Sequence, residues 1–197
     1  SKGGVMRLKI LAIISFMFIS LHARAMMFVE PSFAYIVSGS YDVTHSGGTS
    51  ENTVEGYSGM LKLGWSTAGF SLGGLIKRGK NEIVNSSGTS SGYSWTTQYG
   101  GFVGYSLPIM LSFGVSYILP PTAHSESTYS GLTSSTLVFG VSYSIIPLVR
   151  LQVAYGMSMS PQYVVSGTAN DLPYTSGVTY SEFKTNAITV GLGVPIP

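Results

Sequence analysis

The feature that most constrains the fold is a two-residue alternation of bulky and small side chains, which recurs along residues 26–197. In residues 109–119 every odd position is apolar. Small residues lie between them at Ser112, Gly114 and Ser116. The same alternation occurs in residues 57–66, 137–145 and 149–160. Because successive side chains of a strand point to opposite faces, alternation over about eight residues or more predicts β-strands.

Eight alternating segments can be delimited, and the connections between them differ in length. The predicted strands cover residues 28–43, 53–66, 69–82, 93–107, 109–120, 132–146, 148–161 and 180–195. Tight turns are predicted at residues 67–69, Pro108 and Pro147, and longer polar loops at 44–52, 83–92, 121–131 and 162–179. An even number of strands, with short turns at one end and long loops at the other, is typical of an up-and-down transmembrane β-barrel.

The two faces of the predicted strands differ in a way that favours a membrane barrel over a soluble one. Only 9% of the residues are charged, against about a quarter in soluble domains. The face opposite the bulky one is mostly Gly, Ser, Ala and Thr, which fits the narrow lumen of an eight-stranded barrel. A soluble barrel of the lipocalin type is the alternative, and it would place its large apolar residues inside.

Aromatic residues near the predicted strand ends indicate belts at the two membrane interfaces. Those near the short turns are Trp65, Phe70, Tyr105 and Tyr143, and those near the long loops are Tyr41, Tyr57, Tyr93, Trp95 and Tyr163. Because Tyr also favours ordinary strands, scattered strand tyrosines are the simpler alternative.

Residues 1–25 are predicted to be upstream residues and a signal peptide, and residues 26–197 the barrel domain. A basic start at residues 6–9, an apolar run of 12 residues at 10–21 and the small residues Ala23 and Ala25 describe a secretory signal. That run is shorter than the roughly 20 residues of a membrane-spanning helix, although an uncleaved anchor is the alternative. Without residues 1–25 the net charge changes from +2 to −2, and no basic stripe indicates a nucleic-acid partner.

Strand parity places four charged side chains on the small-residue face, where they would point into the lumen. They are Glu30, Lys62, Lys77 and Arg150. Because a charge in a low-dielectric interior needs a partner, one interpretation is a salt-bridged plug. The other is a gate or constriction, since rings of charge set selectivity in pores. Gln98, Gln152, Ser112 and Ser116 would complete the hydrogen bonding in either case.

Two further segments are candidate contact surfaces. Lys77, Arg78 and Lys80 form a basic cluster near a predicted strand end, where Lys and Arg could bind lipopolysaccharide phosphates. The loop at residues 162–179 has an apolar and aromatic tip among polar residues. We expect Asp171, Leu172 and Tyr174 of this loop to contact a surface ligand or partner protein.

No catalytic residue, metal site or cofactor is predicted. His45 and His124 lie in predicted external loops, with Asp42 and Asp171 as candidate orienting carboxylates. Neighbouring residues such as His124, Ser125 and Glu126 point apart on a strand, whereas a triad needs convergence in space. The absence of Cys excludes a disulfide framework and Cys-ligated metal. A lipid-modifying enzyme acting at the external rim is therefore the weakest alternative.

This pattern resembles the small eight-stranded outer-membrane proteins of Gram-negative bacteria, the group of OmpX-like, OmpW-like and OmpA transmembrane-domain-like barrels. The resemblance covers nearly all of residues 27–197 and lies in the pattern rather than in a signature motif. Such proteins usually end in an aromatic residue, whereas this sequence ends at Val194-Pro195-Ile196-Pro197.

The resemblance implies an integral outer-membrane protein with both termini in the periplasm, inserted by the outer-membrane assembly machinery and surrounded by lipid and lipopolysaccharide. It also implies a non-enzymatic structural or surface-interaction role through the external loops. A narrow pore or conduit for small or hydrophobic solutes is the alternative.

Overall fold

The computed structural model describes residues 25–84, 88, 94–120, 131–165, 168–170, 174–176 and 178–196. Within these ranges the chain forms ten strands. They are β1 (Met26–His45), β2 (Gly48–Thr67), β3 (Phe70–Val84), β4 (Ser94–Ser106), β5 (Leu111–Ile118), β6 (Gly131–Ile146), β7 (Val149–Val165), β8 (Thr168–Asn170), β9 (Tyr174–Ser176) and β10 (Val178–Gly193). In the described part of the chain, no helix has the length and apolar character needed to cross a membrane.

Eight of these strands form a closed antiparallel ring. Strands β1 to β7 pair in sequence order, β7 pairs with β10, and β10 pairs with β1. The short strands β8 and β9 extend the ends of β7 and β10 as small hairpins. The predicted eight-stranded up-and-down barrel is therefore confirmed.

The pairing register shows how the ring is staggered. Followed strand by strand, the partners are Ile36, Thr189, Ala154, Gly140, Gly114, Gly104, Ser71, Ser66 and finally Met26. The path leaves β1 at Ile36 and returns to it at Met26, so the shear number is ten. Eight strands with this stagger tilt by about 35–45° and enclose an interior that side chains can fill.

Large apolar side chains lie mainly on the outside of the ring. Five apolar side chains of the described residues are buried: Val43, Val54, Leu75, Phe102 and Ile118. By contrast, the outward side chains of Leu72 and Val103 are 56% and 60% exposed, and the same is true of positions all around the wall. An apolar surface this continuous would be unstable in water. The soluble-barrel alternative is therefore wrong, because its apolar residues would be inside.

Exposed aromatic residues lie near both ends of the wall, with one exception to the prediction. Trp65, Phe70, Tyr105 and Tyr143 are exposed near the short turns, and Tyr57 and Trp95 towards the opposite end. Tyr41 instead lines the interior, because a bulge between Ile36 and Ser38 adds one residue and reverses the alternation of β1. Tyr93 and the side chain of Tyr163 lie outside the described residues.

The end of the barrel at the connections after β2, β4 and β6 is called the short-turn end here. Between β2 and β3, Ala68 and Gly69 have φ values of 48° and 85°. Two positive φ angles define the type I′ turn that suits a two-residue hairpin. The other connections at this end, around Pro108 and Pro147, are also short, as predicted.

The predicted long loop at residues 44–52 is wrong. Strands β1 and β2 continue to His45 and Gly48, so only two residues connect them. The hydroxyl groups of Thr44 and Thr49 lie 3.2 Å apart across this hairpin. Threonine is β-branched and favours strands, which outweighed the polar composition. Part of the predicted loop at 162–179 is likewise strand, in β7, β8, β9 and β10.

Two adjacent glycines of β3 provide a test of this wall. A Cβ atom at Gly73 would overlap the carbonyl oxygen of Leu63 on β2, whereas one at Gly74 would lie 3.8 Å from the carbonyl oxygen of Gly100. We expect Gly73→Ala to lower the free energy of unfolding by about 1–3 kcal/mol, the usual cost of overpacking. Gly74→Ala, which adds a methyl group on the lipid side, is the matched control. Urea unfolding in lipid vesicles measures both, and equal stabilities would contradict this account of the wall.

Candidate functional site

Glu30 is the centre of a polar cluster inside the barrel. Its side chain is almost fully buried, and the residue is 3% exposed. Arg150 donates from Nη1 to Glu30 Oε2 at 2.9 Å, and Gln152 donates from Nε2 to Oε1 at 2.9 Å. The Lys62 ammonium donates to Oε1 at 3.4 Å. We call these four residues the Glu30 brace, and three of the four predicted lumen charges belong to it.

The strand register explains how the brace is assembled. Lys62 on β2 is the direct cross-strand partner of Glu30 on β1. Arg150 and Gln152 come from β7, which is separated from β1 by β10. They reach Glu30 across Gly193 of β10, where a Cβ atom would overlap the Gln152 amide and lie 3.4 Å from Glu30 Oε1. The brace therefore needs a residue without a side chain at this position.

The electrostatics of the brace are those of one carboxylate shared by two cations and an amide. A buried carboxylate is tolerated when it is paired and hydrogen-bonded, and both oxygens of Glu30 are used here. The side chains of Lys62 and Arg150 keep 20% and 27% exposure. The Arg150 Nε atom is buried without a hydrogen-bond partner. Both oxygens of Glu30 thus have hydrogen-bond donors, whereas Arg150 keeps one buried donor without an acceptor.

An apolar layer contacts the brace and extends across the lumen. Its buried members are Leu75, Phe102 and Ile118, and Phe28, Met60 and Val138 pack against them. These six residues come from the six strands β1 to β6. The rings of Phe28 and Phe102 meet edge to face with centroids 5.9 Å apart, and the Lys62 ammonium lies 5.7 Å from the Phe102 centroid. Brace and layer therefore form one continuous packed unit.

The rest of the interior is not filled. A cavity of about 1100 Å³ lies inside the barrel, and its lining reaches from Ser66 near the short turns to Tyr41 and Val54. On strands β5, β6, β7 and β10 the wall is lined by small side chains, among them Ser116, Gly140, Ala154, Gly156 and Ala187. Four of the six residues of the apolar layer lie on β1 to β4, so the lumen is asymmetric.

Lys77 points into the lumen as predicted but does not join the brace. It lines the cavity, its side chain is half-buried, and its cross-strand partners are Met60 and Gln98. Among the described residues, the Lys77 ammonium makes neither an ion pair nor a hydrogen bond. The prediction of a four-residue charge cluster is therefore wrong for Lys77. Leu75, not Lys77, is the β3 partner of Lys62.

The predicted basic cluster is divided between the two faces of β3. Lys77 lies inside, whereas the exposed Arg78 faces outward with its guanidinium 5.5 Å from the centroid of the Trp95 ring. Lys80 pairs with Tyr57 and Trp95, which are both exposed on the outer wall. Arg78 and Lys80 thus remain as an outward basic pair beside aromatic residues.

Several predicted residues cannot be placed in a site. Asp171, Leu172 and His124 lie outside the described residues, and the side chains of His45 and Tyr174 are not described. The backbone of Tyr174 belongs to β9 and pairs with Tyr180. In the described part of the chain, no group of three acidic, His or Cys residues is arranged to hold a metal ion.

The apolar layer is the main feature that the sequence analysis missed, and the sequence carries a signal for it. Strict alternation puts one bulky residue at every second position, but each of the strands β1 to β6 carries bulky residues in succession. The relevant pairs are Phe28-Val29, Met60-Leu61, Leu75-Ile76, Phe102-Val103, Ile118-Leu119 and Val138-Phe139. One member of each pair must point inward, and the inward members are those of the apolar layer.

Replacing the Glu30 carboxylate tests whether the brace stabilises the barrel. Glu30→Gln leaves Lys62 and Arg150 without a counter-charge, and breaking a buried pair costs about 3–5 kcal/mol. We expect a loss near the lower end of that range, because both cations retain some exposure. Urea unfolding in lipid vesicles measures it.

The matched control for Glu30→Gln is Glu51→Gln, which removes an exposed carboxylate from β2. It should change the unfolding free energy by less than about 0.5 kcal/mol. A Glu30→Gln protein as stable as the control would show that the brace contributes nothing to stability.

Comparison with known proteins gives similarities of fold. The structure is similar to Neisserial surface protein A, with a TM-score of 0.44 and 16% identity over 87% of this chain and 98% of that one. It is also similar to the translocator domain of the autotransporter NalP from Neisseria meningitidis, with a TM-score of 0.27 and 15% identity over 98% of this chain and 95% of that one. Neither the comparison with protein families nor the comparison with curated proteins gives a match.

The architecture of the chain itself decides its class. In the described part of the chain, eight antiparallel strands close into a ring, which is how strands satisfy their backbone groups inside a membrane. The outer wall is mainly apolar, and the interior holds the charged residues Glu30, Lys62, Lys77 and Arg150. With this ring and this distribution of side chains, the chain is a small eight-stranded β-barrel of the outer-membrane type.

Proposed function

We propose that this protein is a non-enzymatic outer-membrane barrel with a closed lumen, which serves as a scaffold for surface interactions at its external end. The observation that carries the proposal is the contact of the Glu30 brace with the apolar layer. A hydrated ion in this part of the lumen would meet Glu30 with its donors and the contacts of Phe102 with Phe28 and Lys62. The packed unit is therefore an obstacle to conduction.

The orientation proposed for the barrel has the short-turn end in the periplasm. Short periplasmic turns and longer external connections are the rule for bacterial outer-membrane barrels. Val29 and Ile196 exchange backbone hydrogen bonds of 2.9 and 2.8 Å at the short-turn end. In this orientation the chain enters and leaves the barrel on the periplasmic side.

The β1–β2 hairpin is the strongest candidate for the external contact surface. Each strand has 20 residues, about twice the 9–11 residues that a bilayer needs. The Asn52 amide donates to the Tyr41 carbonyl oxygen at 3.2 Å, and Thr44 and Thr49 interact across the strands. These bonds order the hairpin beyond the membrane, and an ordered protrusion binds a partner at a lower entropic cost than a loose loop.

Arg78 and Lys80 are proposed to contact lipid or lipopolysaccharide phosphates on the outer wall. Both are outward on β3, and the exposed Trp95 lies beside them. Aromatic and basic side chains together are typical of the membrane interface. This proposal retains two of the three residues that the sequence analysis selected.

A narrow conduit is the second candidate, and the cavity favours it. The lining of the 1100 Å³ space includes residues near both ends of the barrel. Small side chains on β5, β6, β7 and β10 leave room beside the packed unit. The incomplete hydrogen bonding of Arg150 is the weakest part of the brace, and opening would start there.

Planar-bilayer conductance separates the two candidates. The refolded barrel, shown to be folded by circular dichroism, should be silent. Arg150→Ala removes one cation from Glu30 and should give brief openings, because Lys62 and Gln152 still hold the carboxylate. Arg78→Ala, which removes a cation from the outer wall, is the control and should remain silent. Steady unitary currents from the unaltered protein would overturn the closed scaffold in favour of the conduit.

The non-enzymatic part of the proposal has its own test. Replacing His45 and His124 together with Gln removes the histidines that a rim active site would use. Mass spectrometry of lipid A and phospholipids from cells expressing each form should give the same lipid profile. A modified lipid that depends on either histidine would establish an enzyme.

A further inference from the structure

We propose that Lys77 forms an anion-binding site inside the barrel, selective for a small oxyanion carried as a phosphate or a carboxylate group. Lys77 occupies an inward position of β3 between Leu75 and Gly79, which are both buried. It lines the 1100 Å³ cavity and lies outside the Glu30 brace. The site therefore differs from the brace in position and in chemistry.

Among the described residues of the lumen, Lys77 has no counter-charge. Glu30 is the one carboxylate among the described residues that line the cavity, and it is already bonded to Lys62, Arg150 and Gln152. The cross-strand partners of Lys77, Met60 and Gln98, are uncharged. An ammonium group in a barrel interior that is surrounded by lipid is costly unless water or an anion solvates it.

The surroundings of Lys77 suit an oxyanion. Neutral side chains with hydrogen-bond donors line the same cavity, namely Ser58, Asn81, Thr96, Gln98 and Thr136. An ammonium group combined with hydroxyl and amide donors gives the charge-assisted hydrogen bonds that phosphate and carboxylate oxygens accept. Three cations and one carboxylate are among the described residues that line the cavity, so the field of these groups favours anions and disfavours cations.

The size of the cavity allows such a ligand to enter with water. Small-molecule pockets measure about 300–1000 Å³, and this space is about 1100 Å³. The small wall residues Ala154, Gly156 and Ala187 keep the space open on the other side of the lumen. The anion would therefore bind at Lys77 as a partly hydrated group.

This inference goes beyond the proposed function and does not depend on whether the brace conducts. A chamber next to a closed brace and a chamber along a conduit would both expose Lys77 to dissolved anions. Conductance tests whether the brace closes the lumen, and equilibrium binding tests whether Lys77 holds an anion. Failure of either proposal therefore leaves the other testable.

The experiment is a titration of the refolded full chain in an uncharged detergent with inorganic phosphate and, separately, with acetate. Ionic strength is held constant with chloride. Isothermal titration calorimetry should give saturable binding of at least one of the two oxyanions. Lys77→Gln should weaken that binding at least tenfold, and Lys77→Arg should retain it. Lys184, an exposed lysine of β10, provides the control, so Lys184→Gln should bind like the unaltered protein.

A second measurement does not depend on any variant folding correctly. In protein labelled with ¹⁵N-lysine, the Lys77 Nζ resonance should shift with the same saturation curve as the calorimetry, whereas Lys62 Nζ should move less. Phosphate binding without acetate binding would assign the site to phosphate groups, and the reverse to carboxylates. The proposal is overturned if neither oxyanion binds saturably, or if Lys77→Gln binds as tightly as the unaltered protein.

Discussion

The hydrogen bonds between β1 and β10 are the interaction on which the rest of the structure depends, because they turn a sheet into a ring. A sheet edge in a bilayer would leave backbone donors and acceptors unsatisfied at a cost of several kcal/mol for each group. The seam runs from Ser32 and Gly193 to His45 and Tyr180. Beyond Gly193, Val194 and Ile196 still donate to carbonyl oxygens of β1. The register of this seam fixes the shear number and therefore the width of the lumen.

That width decides what the interior can contain. An eight-stranded ring leaves space that side chains nearly fill, so each bulky inward residue must be balanced by small residues on the facing strands. Here Phe28, Met60, Leu75 and Phe102 project from β1 to β4, while glycine, alanine and serine line much of β5, β6, β7 and β10. Gly193 shows the same balance locally, since the brace passes over it. The packed unit thus forms where bulky side chains point inward, and the adjacent cavity forms where small side chains do.

Much of this could be predicted from the alternation alone. The alternation of faces along each strand predicted the ring, the lipid-facing wall and the convergence of Glu30, Lys62 and Arg150. These three side chains converge because they lie on the same face near the short turns of a narrow barrel. Parity failed at Tyr41, where a bulge after Ile36 reverses the faces of β1. The bulge shifts the pairing of β1 with both of its neighbours, β10 and β2, and alternation alone does not predict it. Lys77 was placed on the correct face, but its height relative to Glu30 depends on the β2–β3 register, which alternation leaves open.

The charged residues of the lumen also help to specify that register. Adjacent positions on β3 have opposite environments, with Lys77 inside and Arg78 beside Trp95 on the outer wall. A slip of one residue would exchange the faces of the whole strand. Lys77 would then face lipid, where a lysine near the bilayer midplane costs about 2–4 kcal/mol, and Ile76 would enter the lumen. The same exchange on β1 would move Glu30 away from Lys62, Arg150 and Gln152. Alternative registers are therefore disfavoured by charge as well as by volume. The few charged side chains at inward positions specify the strand pairing more strongly than the small side chains around them, which differ little from one another.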